Sequence, residues 1–282
     1  MHVYDKGGGM IEVTWTGAAG LIIANGRHTI LIDPFVSRPS KLDVFFTRLQ
    51  PKKLVIDQFI RNLPGNVDAI IVGHTHFDHT LDVPEIARGL NCPVFGSSSL
   101  ESLMELSGVT GRTRICTGGE KVELEGEASV TMIPSLHGLV VLGRVPYQGE
   151  IGQEMKLPMR TRDYRLGEMF MPKLEIGGIT IMHAGSANCR VSELDGHGCD
   201  VLFMCVPGWK KSREYTTTLL DMLRPEVIVP FHFDDFTAPI RPGGMPPSLP
   251  FVYMNNFMEE VRSVVPKTKI RMPLPYSPMR FE

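Results

Sequence analysis

Gly73-His74-Thr75-His76-Phe77-Asp78-His79 places four metal-competent side chains within six residues. It follows directly on Asp68–Val72, whose apolar run Ala69-Ile70-Ile71-Val72 reads as a buried strand. In an extended segment His74 and His76, two residues apart, point the same way. A turn then brings Asp78 and His79 back towards them. Imidazole nitrogens and a carboxylate suit Zn²⁺ and related first-row ions. Buried His and Asp are costly unless paired or coordinated, so a cluster this dense points to a metal.

Outward from this segment, short apolar runs alternate with turn signals. Ile11–Trp15, Gly20–Ala24 and Thr29–Asp33 read as strands, the last two joined by the hairpin pair Asn25-Gly26. Lys121–Leu124 and Ser129–Ile133 are strands, and Met169–Ile176 and Ile179–His183 flank the turn Gly177-Gly178. Asp200–Val206 and Glu226–Pro230 complete the strand set. Val83–Gly89, Ser98–Ser107, Arg213–Leu223 and Asn255–Val264 read as helices. In the second of these, Leu100, Leu103, Met104 and Leu106 supply an apolar face and Ser97 or Ser98 the cap. Strand meanders with helices in both halves predict two sheets covered by helices. No linker or repeat interrupts the chain, so residues 1–282 read as one domain, with 1–10 a flexible leader. Residues 143–167 and 238–250 lack periodicity and read as long loops near the site, of the kind that serve as lids or binding loops.

Composition narrows the function. Hydrophobic residues make up 43% of the 282 and charged residues 21%, which describes a globular chain rather than a disordered one. The net charge of −2 leaves no overall basic field for nucleic acid or an anionic membrane. No apolar run reaches the ~18 residues of a membrane span, and no apolar secretory segment follows Met1. Five cysteines, an odd number without a CxxC pair, fit free thiols in a reducing cytoplasm. The partner expected is therefore a small molecule, with no nucleic acid and no membrane, and with a homo-oligomer left open.

His74-Thr75-His76-Phe77-Asp78-His79 resembles the HxHxDH signature of the metallo-β-lactamase superfamily of metal-dependent hydrolases. Three further stretches match the family in order: Leu31-Ile32-Asp33-Pro34, Pro134-Ser135-Leu136-His137-Gly138 and Val229-Pro230-Phe231-His232-Phe233. The style is most similar to the ascorbate-6-phosphate lactonase-like branch. The resemblance implies an α/β fold, a four-layer αββα sandwich of two mixed β-sheets flanked by helices. It implies that His74, His76 and His137 hold one metal and that Asp78, His79 and His232 hold a second, with zinc expected and manganese or iron admissible. Asp33 would orient loops and ligand imidazoles by hydrogen bonds. His2 and His28 are expected at the surface and His197 in a loop.

One position departs from the family. Where it supplies an Asp between the metals, the matching stretch Ile181–Cys189 carries Ser186. Two dications ~3.5–4 Å apart repel by roughly 15–20 kcal/mol at an effective dielectric of about 20, and a neutral hydroxyl cannot offset that. One ion at the three-histidine site is the favoured outcome. The others are a weak second site, or recruitment of Cys189, His183 or Asp235. The mechanism implied is attack by a hydroxide formed as the metal lowers the pKa of water to about 7. Asp78 would anchor a metal or relay the proton, and His232 would bind the second metal or act as acid, base or oxyanion donor. No Gly-x-Ser-x-Gly elbow offers a side-chain nucleophile. An anionic ester, lactone or phosphoester is the expected substrate. Lys156, Arg160, Arg162 and Arg165 are candidates to neutralise it, and Trp209-Lys210-Lys211 is a candidate for the mouth. A non-catalytic binding protein and a mononuclear iron redox enzyme stand as alternatives on the same scaffold.

Overall fold

Alternation along the strands sets the layers. In the computed structural model, which describes residues 10–125, 128–212 and 214–282, the first sheet takes β1 (Ile11–Gly17), β2 (Gly20–Ala24), β3 (His28–Ile32), β4 (Asn66–Ile71), β5 (Val94–Gly96) and β6 (Thr113–Ile115). Leu21, Ile23, Ile30, Ile32, Ala69 and Ile71 point into the core between the sheets. Their sequence neighbours Ile22, Leu31, Ile70 and Val72 point the opposite way, onto an outer helical layer. That layer comprises α2 (Lys53–Arg61), α4 (Val83–Leu90) and α5 (Ser98–Leu106), while the short helices α1 (Lys41–Phe46) and α3 (Phe77–Thr80) lie in the segments after β3 and β4. Ile56, Phe59, Ile86, Leu100 and Met104 fill the contact, each such side chain contributing about 1.5–3 kcal/mol on burial. Ser97 caps α5 by accepting from the Leu100 N–H.

The second sheet repeats the plan with β7 (Lys121–Glu123), β8 (Ser129–Pro134), β9 (Phe170–Ile176), β10 (Ile179–Ala184), β11 (Val201–Cys205), β12 (Val227–Phe231) and β13 (Lys269–Ile270). Its outer face is covered by α6 (Tyr215–Leu223) and α7 (Met254–Val264), through Leu219, Leu220, Phe257 and Val261. The last strand, β14 (Met279–Phe281), returns to the first sheet and pairs with β1. The strand orders are β14-β1-β2-β3-β4-β5-β6 and β13-β12-β11-β10-β9-β8-β7. Both sheets are mixed. Antiparallel hairpins (β1 to β3, β7 to β10) give way to parallel strands (β3 to β6, β10 to β13). The chain is thus two mixed β-sheets packed together and flanked by helices. At the Gly177-Gly178 turn both residues have positive φ, 57° and 81°, the conformation a two-residue hairpin of this twist requires.

This topology positions the site. In sheet two β8, β10, β11 and β12 run the same way, and in sheet one β3 and β4 do, so loops leave together at their carboxyl ends. Helices α1 and α2 and strands β5, β6, β13 and β14 were not anticipated. Helix α1 is only six residues long and buries none of them; a capping box between Ser40 and Asp43 starts it. The four strands are two or three residues long, too short for periodicity. The expected leader lies, apart from Met10, outside the described residues, as do His2 and Arg213, the expected start of the third helix. His28 corrects an expectation: it is half-buried, because its Nδ1 bonds to Asp68 Oδ2 at 2.9 Å.

Asp82, fully buried ahead of α4, accepts from the Val36 and Ser37 amides at 2.6 Å each and from the Ser37 hydroxyl. It ties the segment after β3 to the segment after the histidine cluster. Asp82→Ala strands these donors and is expected to destabilise by about 3 kcal/mol. Asp82→Asn, which keeps an acceptor oxygen, should cost less; urea midpoints at unchanged slope check both.

Candidate metal centre

Every side chain singled out in the sequence cluster leaves the carboxyl end of a strand. Asp33 directly follows β3, His74 and His76 follow β4, and His137 follows β8. Ser186 follows β10 and His232 ends β12. Asp33 and His232 adopt left-handed backbone, with φ 45° and 62°, which turns each side chain sharply off its strand. Gly73 lets the β4 loop pass close by: its N–H donates to Asp33 Oδ1 at 2.7 Å, and a Cβ there would lie 3.2 Å from Asp33 Oδ2. The short helix α3 then swings Asp78 and His79 back towards the first two histidines.

The structure brings all six expected residues together, as two adjacent groups. His74, His76 and His137 form one and Asp78, His79 and His232 the other; within each, ligand atoms lie within 4.8 Å of one another. His74 Nε2 faces His76 Nδ1 at 3.2 Å, and His79 Nε2 faces His232 Nε2 at 3.3 Å. The rings of His74 and His79, one from each group, stand 3.8 Å apart between centroids. Three imidazoles are fixed from behind. His76 Nε2 donates to the Pro146 carbonyl at 3.2 Å, His137 Nδ1 to the Gly138 carbonyl at 2.8 Å and His79 Nδ1 to Asp33 Oδ2 at 2.7 Å. Each donation leaves the other ring nitrogen with its lone pair turned into the shared space, as a metal ligand requires.

Burial sets the charge states. It holds His74 well below the ordinary histidine range, His76 at about 3 and His137 at about 4, each further lowered by neighbouring imidazoles. These three are therefore neutral, with lone pairs free. Burial would also lower His79, but the charges of Asp33 and Asp78 and the bond to Asp33 outweigh it and raise His79. Burial pushes Asp78 up, but His79, the hydrogen bond from His232 and the remaining imidazoles hold it well below the usual carboxylate range.

Ser186 lies in the same cleft, its hydroxyl accepting from the Gly138 N–H at 3.0 Å. The proposed substitutes for a bridging Asp are otherwise engaged. His183 Nε2 donates to the Ala19 carbonyl at 2.8 Å, and Asp235 pairs with Lys41 at 2.9 Å. Burial lifts the Cys189 thiol to about 11. None of the three belongs to a metal-competent group among the described residues. His183 is a sixth buried imidazole, 4.0 Å from Asp33 Oδ2.

His76, Asp78, His79, His137 and His232 line a cleft of about 870 Å³, with His74 buried behind them. Both long loops contribute to its wall, through Pro146, Tyr147 and Thr161 from one and Leu249 and Pro250 from the other. Trp209, Lys210 and Lys211 line it as anticipated. The basic set does not. Lys156, Arg160, Arg162 and Arg165 are absent from its wall, because Arg160 turns to the Phe46 carbonyl, Arg162 lies beside Asp163 and Arg165 turns to the Glu150 carbonyl. Lys41, Phe236 and Phe251 line the cleft without having been singled out. The sequence signal for the two phenylalanines was faint: aromatic residues in or beside segments without periodicity.

The chain matches the family described as the beta-lactamase superfamily domain over residues 12–232. A UPF0173 metal-dependent hydrolase of Anaeromyxobacter dehalogenans is 27% identical over 241 residues, covering 82% of this chain and 77% of the relative. One of Pyrobaculum islandicum is 24% identical over 238 residues, covering 80% and 85%. Among solved structures, Igni18, a metallo hydrolase from Ignicoccus hospitalis, superposes with a TM-score of 0.62 at 18% identity, covering 97% of this chain and 99% of its own. CmlA, a diiron beta-hydroxylase from Streptomyces venezuelae, gives 0.62 at 15% identity, covering 96% of this chain and 54% of its own. Likeness at that identity speaks for the fold alone.

The neutral histidines predict an acid-labile apo protein. Below 6.5 the unfolded chain protonates residues 76 and 137, whereas the folded chain resists until about 3 and about 4. The unfolded state then holds more protons, so stability falls on acidification, by about 1.4 kcal/mol per pH unit for each group. The raised His79 is already protonated in both states there and does not oppose this; its contribution is lost as pH rises through its folded value. Thermal melts of chelator-treated protein between pH 7 and about pH 4.5 check the slope.

Proposed function

The chain belongs to the metallo-β-lactamase superfamily of metal-dependent hydrolases, and on that premise we propose that it hydrolyses a small molecule at one ion held by His74, His76 and His137. The supporting observation is the pair of adjacent three-residue groups, all but His74 lining one cleft, beside a serine rather than a further carboxylate. Three inward lone pairs, each on a ring fixed or neutralised by its surroundings, fit a dication such as zinc. Asp78, His79 and His232 form a second, weaker site, since Ser186 brings no charge to offset repulsion between two ions.

When bound, the ion would acidify a water and polarise a carbonyl or phosphoryl oxygen. The rest falls to the chain. Asp78, held ionised, can accept the proton of an attacking water. His232 Nε2 lies 3.4 Å from Asp78 Oδ2, and a proton on it can orient that carboxylate or be donated to the leaving group. Asp33 keeps the His79 ring in one tautomer. Lys210 and Lys211 at the cleft wall support an anionic ester, lactone or phosphoester as substrate, including the phosphorylated lactone that the lactonase-like resemblance implies. The five free, buried cysteines are in keeping with a reducing cytoplasm. Among the described residues no helix is long and apolar enough to cross a membrane. The return of β14 to β1 supports reading 1–282 as one domain.

Metal analysis of protein purified without chelator or added metal tests this directly. About one equivalent of zinc is expected. Iron with visible absorbance would move the reading to redox chemistry, and absence of metal after reconstitution would leave a binding protein. His74→Ala should abolish both metal retention and hydrolysis. Ser186→Asp should raise second-ion occupancy; unchanged stoichiometry would count against the role given to Ser186. Asp33→Asn, which weakens the support of His79, should lower affinity for that second ion by about 10–100-fold in a competition titration.

A further inference from the structure

The floor of the cleft is polar and buried, but its mouth is neither. Phe45 on α1, Val141, Tyr147, Phe251 and Tyr253 line it and are exposed, Phe251 to 85%. Tyr147 and Phe251 are moreover held in left-handed backbone, at φ 42° and 65°, a conformation that bulky side chains avoid. Exposed apolar surface and backbone strain thus coincide where the cleft meets solvent, as expected where a ligand supplies the missing contacts. The strip is continuous with the chemistry: the Tyr147 ring stands edge-on to His76, 6.2 Å between centroids. A cation is fixed beside it, with Lys210 Nζ 5.3 Å from the Trp209 ring and 4.9 Å from the Tyr253 ring. The volume of about 870 Å³ lies towards the upper end of the range for drug-sized ligands and exceeds the needs of a bare ester or lactone.

We propose that the substrate is an anionic amphiphile bound as a dissolved monomer. Its scissile polar group faces the floor, its apolar chain runs out over Tyr147, Phe45 and Phe251, and its anionic group lies at the wall beside Lys210. The bond cleaved rests on the hydrolase reading above; the seat for the chain needs no ion.

Calorimetric titration of the protein as purified with butyrate, hexanoate, octanoate and decanoate, all below micelle formation, isolates the chain because the head is constant. Affinity should rise about three- to fourfold per buried methylene. Phe45→Ser combined with Phe251→Ser, both solvent-exposed positions, should flatten that rise. Leu54→Ser, an exposed apolar position on α2 outside the cleft wall, should not. His74→Ala should keep the rise while losing hydrolysis, so failure of the chain seat and failure of the metal reading give different results. Affinity independent of chain length overturns the proposal, and so does a rise that survives the double variant. Binding to phosphatidylcholine vesicles, or self-association lost with the two phenylalanines, in place of carboxylate binding also overturns it and assigns the mouth to a membrane or a second copy.

Discussion

The carboxylate of Asp33 is the point on which the rest of the centre depends. It is fully buried and satisfied from two sides, by the Gly73 N–H and by His79 Nδ1, each at 2.7 Å. One bond fixes where the chain leaves β4; the other fixes the last imidazole of the same loop. A buried carboxylate left without such partners is costly, so the two loops cannot drift apart without exposing that cost. The left-handed backbone of Asp33 is sustained by the same contacts. The position of β3 is therefore transmitted to Gly73 and His79 through a single side chain.

The charge balance of the floor follows from that arrangement. Burial keeps His74, His76 and His137 neutral, while Asp33 and Asp78 favour a proton on His79. The proton on His79 and an ion in the second group compete for the same ring nitrogens, so filling that group releases a proton. The first group faces no such competition. On the proposed one-ion reading, this asymmetry adds to the effect of Ser186: it would favour an ion in the three-histidine group over the other even before repulsion between two ions is counted.

Much of this was legible in the sequence, for reasons tied to particular residues. The strands of the core are short apolar runs bounded by turn signals, and the turns Asn25-Gly26 and Gly177-Gly178 announce their hairpins. The spacing of His74, His76, Asp78 and His79 carries its chemistry within one loop. His137 and His232 were found by motif order, and their meeting with that loop is a property of two sheets packed against each other that no local pattern encodes. Helix α1 escaped notice because it faces solvent with Leu42, Phe45 and Phe46 instead of burying them. The basic run from Lys156 to Arg165 misled because density of charge says nothing of direction; its side chains turn to carbonyls and to Asp163 elsewhere.

Floor and mouth have different origins, and the difference explains how one scaffold can serve many substrates. The floor is assembled from residues at or just past strand ends, where the sheets fix positions and burial fixes protonation. The mouth is assembled from α1 and from loops that no strand constrains, with Tyr147 and Phe251 held in conformations that packing alone would not select. Changes at Phe45, Tyr147 or Phe251 alter which molecule is held without disturbing the Asp33 bonds that hold Gly73 and His79. Changes at Gly73 or Asp33 do the reverse. Chemistry and specificity are mechanically separable here because they are anchored to different parts of the backbone.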